Sequence, residues 1–358
     1  MMLPTKASQE SHLETLYQKA SSHIEKARQS IQKSINAEMV EAYWLIGKDI
    51  VELEQGGQEK ASYGKSILKD LSTRLQAKYK NGFSVDTLEK SRKFYLSYPP
   101  EESSTKSATM SRILKKDLNL SWSHYVELVK ITRTETRDFY AIEAHKNNWN
   151  VRELRRQIDS FLYDRILKSK DKNDILQMAY QGQEINTPED AIKEPLVLEF
   201  LGAPEPHKLS ETDLETALIN NLQDFLLELG KGFAFVKRQK RITFDNNHYY
   251  CDLVFYHMIL KCYVIVDLKV KPLTHADLGQ MLLYVNYFDQ ELKMANDNPT
   301  IGLVLCTAKH DGMVKYLLGD KAKQIFASTY QFHLPTEQEL ESELKREIRS
   351  IEAHKKET

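Results

Sequence analysis

Hydrophobic positions in the first half of the chain recur at intervals of three and four. Leu13, Leu16, Tyr17, Ala20, Ile24, Ala27 and Ile31 fall on one face of a helix. Val40, Tyr43, Trp44, Gly47, Ile50 and Val51 predict a second helix from about Asn36, stopped by Gly56-Gly57. Tyr63 to Tyr79 repeats the pattern until Asn81-Gly82 breaks it. Ser84 predicts an N-cap for a helix over 85–97, and Pro99-Pro100 ends that helix. Residues 99–110, rich in Pro, Ser and Thr, read as a loop. Helices resume over 121–132, 134–147 and 151–167. No strand pattern of any length interrupts residues 12–170. An all-α domain is expected there, compatible with a helix-turn-helix or winged-helix element.

Beyond residue 170 the pattern changes. Residues 171–193 are polar and read as a linker with a short helix. Leu214–Leu229 predicts an amphipathic helix, opened by Ser210 or Thr212 and closed by Gly230. Phe233–Val236, Arg241–Phe244, Tyr249–Tyr256 and Cys262–Val270 are rich in Val, Ile, Tyr and Phe and predict strands, with a turn at Asp245-Asn246-Asn247. A helix over 276–288 and an apolar strand at Ile301–Cys306 follow. Helix, strands, helix, strand gives an α/β domain with a mixed sheet over 194–335, and an α+β chain overall. A charged helix or tail over 336–358 carries the stripe Leu340, Leu344, Ile348 and Ile351. That stripe fits docking on the domain or pairing with a second copy as a homo-oligomer, and the pattern does not distinguish the two.

Composition narrows the class. Hydrophobic residues make up 41% and charged residues 28%, an ordinary proportion for packed soluble domains. No apolar run approaches the ~18 residues of a membrane span, and the first residues hold no secretion signal, so a cytoplasmic location without membrane contact is expected. Cys251, Cys262 and Cys306 sit in apolar strand-like segments and are expected to be buried, reduced thiols. Net charge is −1, but residues 1–170 hold 29 Lys+Arg against 22 Asp+Glu, and residues 171–358 hold 21 against 29. A basic half suits a phosphate backbone, and an acidic half suits a cation. No Gly-rich phosphate loop is present, so no use of ATP is expected.

The candidate chemistry lies in the second half. Asp252 interrupts an apolar strand, and charges are rarely buried without a partner. Asp267 and Lys269 emerge together at the end of the apolar run Val264-Ile265-Val266, on one face of a strand. Asp252 and Asp267 are 15 residues apart, the length of a hairpin that sets two carboxylates side by side. Such a pair repels unless a divalent cation lies between, and oxygen ligands favour Mg²⁺ or Mn²⁺ over zinc. Lys269 would add a fixed cation beside a phosphate.

These residues resemble a known signature. Asp252 followed by Asp267-x-Lys269 is similar to the PD-(D/E)xK nuclease motif, with Cys251 in the place of its proline. Gln280-Met-Leu-Leu-Tyr284 resembles the Gln-x-x-x-Tyr element of the RecB-like branch. The longer stretches Leu214–Val236, Cys251–His257 and Asp297–Cys306, with Ser121–Tyr125 and Asn148–Ile158 in the helical half, resemble the YhcG-type PDDEXK nuclease domain family, over about residues 15–335. The resemblance implies an αβββαβ restriction-endonuclease-like core and a Mg²⁺-dependent nuclease linked to DNA repair, recombination or defence. It also implies Glu215 as the helix acid that completes the metal set with Asp252 and Asp267. Gln280 and Tyr284 share the site by the same resemblance. Asp267 departs from it, because Glu is expected there, and the shorter arm bears on metal preference or activity.

Nucleic acid is the expected partner. In the run Lys237-Arg238-Gln239-Lys240-Arg241, Arg238 and Lys240 are the candidates for phosphate contact. Arg152, Arg155 and Arg156, on one helical arc, are the candidates in the helical half. Three activities fit these residues: a Mg²⁺-dependent DNA endonuclease, a DNA-binding scaffold that has lost its chemistry, and an RNA-directed or structure-specific nuclease.

Overall fold

The computed structural model describes residues 6–56, 61–100, 118, 120–167, 178, 181–202, 209–244, 246–309, 311–318 and 324–335. The loop beyond Pro100, the first part of the linker, Asp245 of the predicted turn and the stripe Leu340, Leu344, Ile348 and Ile351 lie outside these residues. The chain divides into two compact units, Met1–Leu154 and Arg155–Thr358.

The first unit is helical. Helix α1, Lys6–Gly56, is continuous where the sequence predicts two helices, because no Gly or Pro stands between Ile31 and Val40. Its two parts differ in environment. Val40, Tyr43, Trp44, Ile50 and Val51 are buried, whereas Leu16, Tyr17, Ile24 and Ile31 are exposed. Helices α2, Ala61–Tyr79, and α3, Val85–Ser97, follow, and Ser84 caps α3 by accepting from the Thr87 N–H at 3.2 Å. Gly47 lets α1 and α3 touch, since a Cβ there would lie 2.0 Å from the Ser91 carbonyl oxygen. Trp44 Nε1 donates to the Tyr98 carbonyl at 3.0 Å, and Tyr43 stacks on Trp122 with ring centroids 4.3 Å apart. Helices α4, Trp122–Leu128, and α5, Thr134–Lys146, complete the described core. No strand occurs among the described residues of this unit, so none of them forms the wing of a winged helix.

Helix α6, Val151–Asp159, crosses the division at Leu154. The single helix predicted over 151–167 breaks at Phe161, whose φ is 52°, and resumes as α7, Leu162–Leu167.

The second unit is built on a six-stranded mixed sheet. Its strands are β1 (Leu196–Val197), β2 (Phe233–Phe244), β3 (Asn247–His257), β4 (Cys262–Leu268), β5 (Ile301–Cys306) and β6 (Ile325–Gln331), in the order β1-β6-β5-β4-β3-β2. The pairs β2–β3 and β3–β4 are antiparallel, and the others are parallel. The two strands predicted over 233–244 are one, and β1 and β6 are additions to the predicted set. Helices α8 (Pro188–Ala191), α9 (Glu211–Asn220), α10 (Leu222–Leu229), α11 (His275–Tyr287) and α12 (Asp311–Leu318) surround the sheet. Ser210, one of the two predicted caps, opens α9, and the helix predicted over 214–229 is split at Asn221.

Side chains alternate along the central strands, so each face of the sheet has its own core. Leu253, Phe255, Val264 and Val266 pack with Leu214, Leu218, Phe225 and Leu229 of α9 and α10. Val254, Ile265 and Val304 pack with Leu278, Met281 and Val285 of α11. Cys251, Cys262 and Cys306 are free and buried.

A buried charge cluster ties the start of this unit to α10. Glu228, fully buried, accepts from Arg165 Nη1 at 2.5 Å, Arg156 Nη1 at 3.1 Å and the Val197 N–H at 2.9 Å. Lys193 donates to its backbone carbonyl. The segment from residue 181 to 193 is therefore part of the packed unit rather than a spacer, and Lys193 and Gln183 are buried. Burial alone would raise the Glu228 pKa, but Arg165, Lys193 and Arg156 hold it down to about 2. Its folded pKa lies below the ordinary 4.5, so the stability it contributes is full above that pH and is lost as pH falls toward 2. Glu228→Gln leaves three cations facing one neutral amide. It is expected to lower unfolding free energy in urea at pH 7 by ~3 kcal/mol or more, and the deficit relative to wild type should shrink on acidification from pH 5 toward pH 2.

Candidate active site

The ladder between β3 and β4 runs from His257↔Cys262 to Leu253↔Val266. One step further the register sets Asp252 opposite Asp267. There the strands stop exchanging backbone bonds, and Asp252 Oδ2 accepts the Leu268 N–H at 2.8 Å instead. That bond fixes the Asp252 carboxylate at the C-terminal end of β4. Lys269 is anchored through its own backbone, its N–H donating to the Leu305 carbonyl at 2.8 Å and its carbonyl accepting from the Tyr330 hydroxyl at 3.1 Å. Its Nζ lies 2.7 Å from Asp267 Oδ2 and 3.8 Å from Glu211 Oε2.

Helix α9 supplies Glu215, which is buried at 4% exposure. Gln239 Nε2 donates to Glu215 Oε2 at 2.5 Å and to Asp252 Oδ1 at 3.2 Å, joining the helix acid to the strand acid. Gln239 reaches both from an unusual backbone. Its φ is 47°, the left-handed region, within a strand, a conformation that costs a non-glycine residue roughly 1–2 kcal/mol. Arg238 is half-exposed with Nε 3.7 Å from Glu215 Oε1. Helix α11 closes the far side: Gln280 Nε2 donates to the Tyr284 hydroxyl at 2.8 Å, and that hydroxyl donates to the Tyr250 carbonyl at 3.0 Å. Tyr284 is fully buried. The pair therefore braces β3 two residues before Asp252.

The acids are held under electrostatic stress. Burial raises the Asp267 pKa to about 6; Lys269 opposes the shift and Asp252 adds to it. Burial also raises Asp252, against the Leu268 N–H and Lys269, with Glu215 pushing the same way as burial. Burial works to lower the Lys269 pKa, but Asp267, Glu211 and Asp252 together hold it above the ordinary lysine value. Lys269 thus stays an ammonium at neutral pH.

The donor set suits a hard divalent cation. Glu215 Oε1 is a buried carboxylate oxygen without a hydrogen bond, and buried acceptors are seldom left so, whereas Asp267 Oδ2 is met by the Lys269 ammonium at 2.7 Å. Oxygen donors of this kind match Mg²⁺ or Mn²⁺. Among the described residues no group of three or more His, Cys, Asp or Glu side chains is gathered closely enough to hold a metal ion as it stands.

The other candidates divide. Lys240 is half-buried and Arg238 stands at the rim of the acids. Arg152 and Arg155 are exposed. Arg156 is corrected: its guanidinium is bound to Glu199 at 2.6 Å and to Glu228, with 12% of the side chain exposed, so it serves the fold and is not open to phosphate. Two further residues stand near the acids, and each carries a signal in the sequence. Glu211 stands one helical turn before Glu215, and Gln239 is the one uncharged residue in a run of four cations.

Comparison with known proteins identifies both halves of the chain. Residues 189–345 match the model of the YhcG PDDEXK nuclease domain, and residues 19–165 match the DUF1016 N-terminal domain. A protein of Escherichia coli (strain K12) described as "Putative nuclease YhcG" is 40% identical over 343 residues, covering 90% of this chain and 91% of that one. The crystal structure of a repair endonuclease from Pyrococcus abyssi aligns at a TM-score of 0.26 and 19% identity over 36% of this chain and 48% of that one, too slight a likeness to argue from. No helix among the described residues is long and apolar enough to cross a membrane.

A raised Asp267 pKa makes metal-free stability depend on pH. The folded state binds the proton more tightly than the unfolded state, so stability falls as pH rises from 3.8 through about 6. Asp267→Asn mimics the protonated form. In chelator-treated protein it should melt at a higher temperature than wild type at pH 8, and the gap should close as pH is lowered through 6 and then below 4.

Proposed function

The chain belongs to the YhcG family of PDDEXK nucleases, and from that premise we propose that it is a divalent-cation-dependent endonuclease acting on DNA. The observation that carries this reading is the chain of buried acids in which Gln239 joins Glu215 to Asp252, Asp252 stands opposite Asp267 and Asp267 pairs with the Lys269 ammonium, with Glu215 Oε1 left without a hydrogen bond. Glu215, Asp252 and Asp267 would hold Mg²⁺ or Mn²⁺. Such a cation, when bound, supplies Lewis-acid charge to the scissile phosphate and to the water beside it.

Each protein group then has a task. Asp252, oriented by the Leu268 N–H, presents a fixed oxygen rather than a rotating one. Lys269 places a permanent positive charge where the phosphate gains negative charge, and a dry surrounding strengthens that interaction. Arg238 and Lys240, on the edge strand β2, contact flanking phosphates, and Arg152 and Arg155 add further positive charge for the backbone. Tyr284 and Gln280 act as positioning residues through β3. Hydrolysis adds the oxygen of water to phosphorus and breaks one bridging P–O bond. The water gives up a proton, and the departing oxygen takes one.

A second reading is a DNA-binding scaffold without chemistry. It is favoured by Asp267 in the place of Glu and by the incomplete gathering of the acids. One assay separates the two: supercoiled plasmid incubated with Mg²⁺ or Mn²⁺ and followed by gel electrophoresis, with single-stranded RNA and branched DNA in parallel. Wild type should nick or cut in a cation-dependent manner, and Asp252→Ala and Lys269→Met should each slow cleavage at least ~100-fold with binding retained. Equal behaviour of wild type and Asp252→Ala on every substrate would leave the scaffold.

A further inference from the structure

The site contains a side chain whose placement serves neither the core nor the backbone ladder. Gln239 is half-buried on an edge strand, takes a left-handed backbone conformation at φ 47°, and spends both amide hydrogens on carboxylates of two different elements. Extended backbone, the ordinary choice in a strand, would relieve that strain and would release the acids. A conformation held against its own preference, at a cluster of acids, marks a functional constraint.

We infer that Gln239 is a placeholder, whose side-chain amide occupies the position between Glu215 and Asp252 that a cation would take and must withdraw before the cation binds. This rests on the reading of those two acids as cation ligands. The amide offers each carboxylate the end of a dipole, a weak substitute for a divalent charge. It keeps two buried acids compatible in the metal-free protein, and it competes with the metal for the same oxygens. The bare site therefore binds cations weakly, and oxygens of the phosphate help to draw the cation in. Cation loading is thereby tied to the arrival of substrate.

Removing a competitor tightens binding. Calorimetric titration of MnCl₂ into the chelator-treated full chain is expected to show roughly tenfold tighter binding for Gln239→Ala than for wild type. Gln239→Asn tolerates the left-handed backbone but is too short to span both acids, and it should show the same gain. Without metal both variants should melt below wild type, and Mn²⁺ should raise their melting temperatures by more. Weaker or unchanged Mn²⁺ binding in both variants would overturn the placeholder and leave the metal site standing. Mn²⁺ binding that is the same in wild type and Asp252→Asn would remove the cation reading itself.

A different observation concerns α1. Tyr17, Ala20, Ile24, Ala27 and Ile31 are all exposed and are spaced alternately by three and four, the seam of a two-stranded coiled coil. Tyr17, Ile24 and Ile31 are 63%, 54% and 61% exposed. We propose that this seam pairs antiparallel with the same segment of a second copy. Centred on Ser22, that pairing sets Tyr17 against Ala27 and Ile24 against Ala20, large opposite small at these central levels, and brings Glu14 across from Arg28. A parallel pair would stack alanine on alanine and tyrosine on tyrosine, which packs poorly. Light scattering of the full chain should give a dimer mass. Ile24→Glu should give a monomer of unchanged helicity, Glu14→Lys should weaken the dimer, and Glu14→Lys with Arg28→Glu should recover it. A monomeric wild type, a dimer indifferent to Ile24→Glu, or no recovery by the double change would overturn the pairing.

Discussion

Five residue pairs lock β3 to β4, and everything at the candidate site follows from that register. A slip of one residue would turn every side chain of β3 to the opposite face. Leu253 and Phe255 would leave the core under α9 and α10, and Asp252 would leave Asp267. The apolar pattern forbids the slip, since both faces of these strands are buried and each has its own helix cover. The hydrophobic core thus places the acids, although no acid contributes to it. The ladder gives out one step before the carboxylates, and the Leu268 N–H passes from a backbone partner to the Asp252 side chain.

Two groups of buried charge in the same unit show how structural and chemical burial differ. Glu228 is surrounded by donors: Arg165, Arg156 and the Val197 N–H meet its oxygens, and the carboxylate is held ionised far below the usual range. Glu215 and Asp267 are also buried, yet Glu215 keeps an oxygen without a hydrogen bond, and Asp267, although paired with Lys269, is pushed toward neutrality. A satisfied cluster holds segments together. An unsatisfied one stores a demand for positive charge, which a divalent cation and the Lys269 ammonium can meet.

Much of this was open to reading along the chain. Periodicity distinguished a helical half from an α/β half, and the strands carrying Asp252 and Asp267 stood out because period-two and apolar runs are local signals. The caps at Ser84 and Ser210 were legible for the same reason, as each side chain reaches only three residues along the chain. The short β1 was not, because two residues carry no period, and β6 hides its strand character in Ala327, Ser328 and Thr329. Arg156 misled. An arginine on a helical arc looks the same whether it meets phosphate or Glu228, which lies 72 residues away.

The sequence by itself determined which residues could do chemistry and which segments are helix or strand, because both are set by residue type and near-neighbour spacing. Only the tertiary structure decided who meets whom. Gln239 between Glu215 and Asp252, Glu211 beside Lys269, Tyr284 on the Tyr250 carbonyl and Arg156 on Glu228 are contacts between elements distant in sequence. Register, sheet order and the left-handed turn of one strand residue bring them together, and no local pattern encodes those.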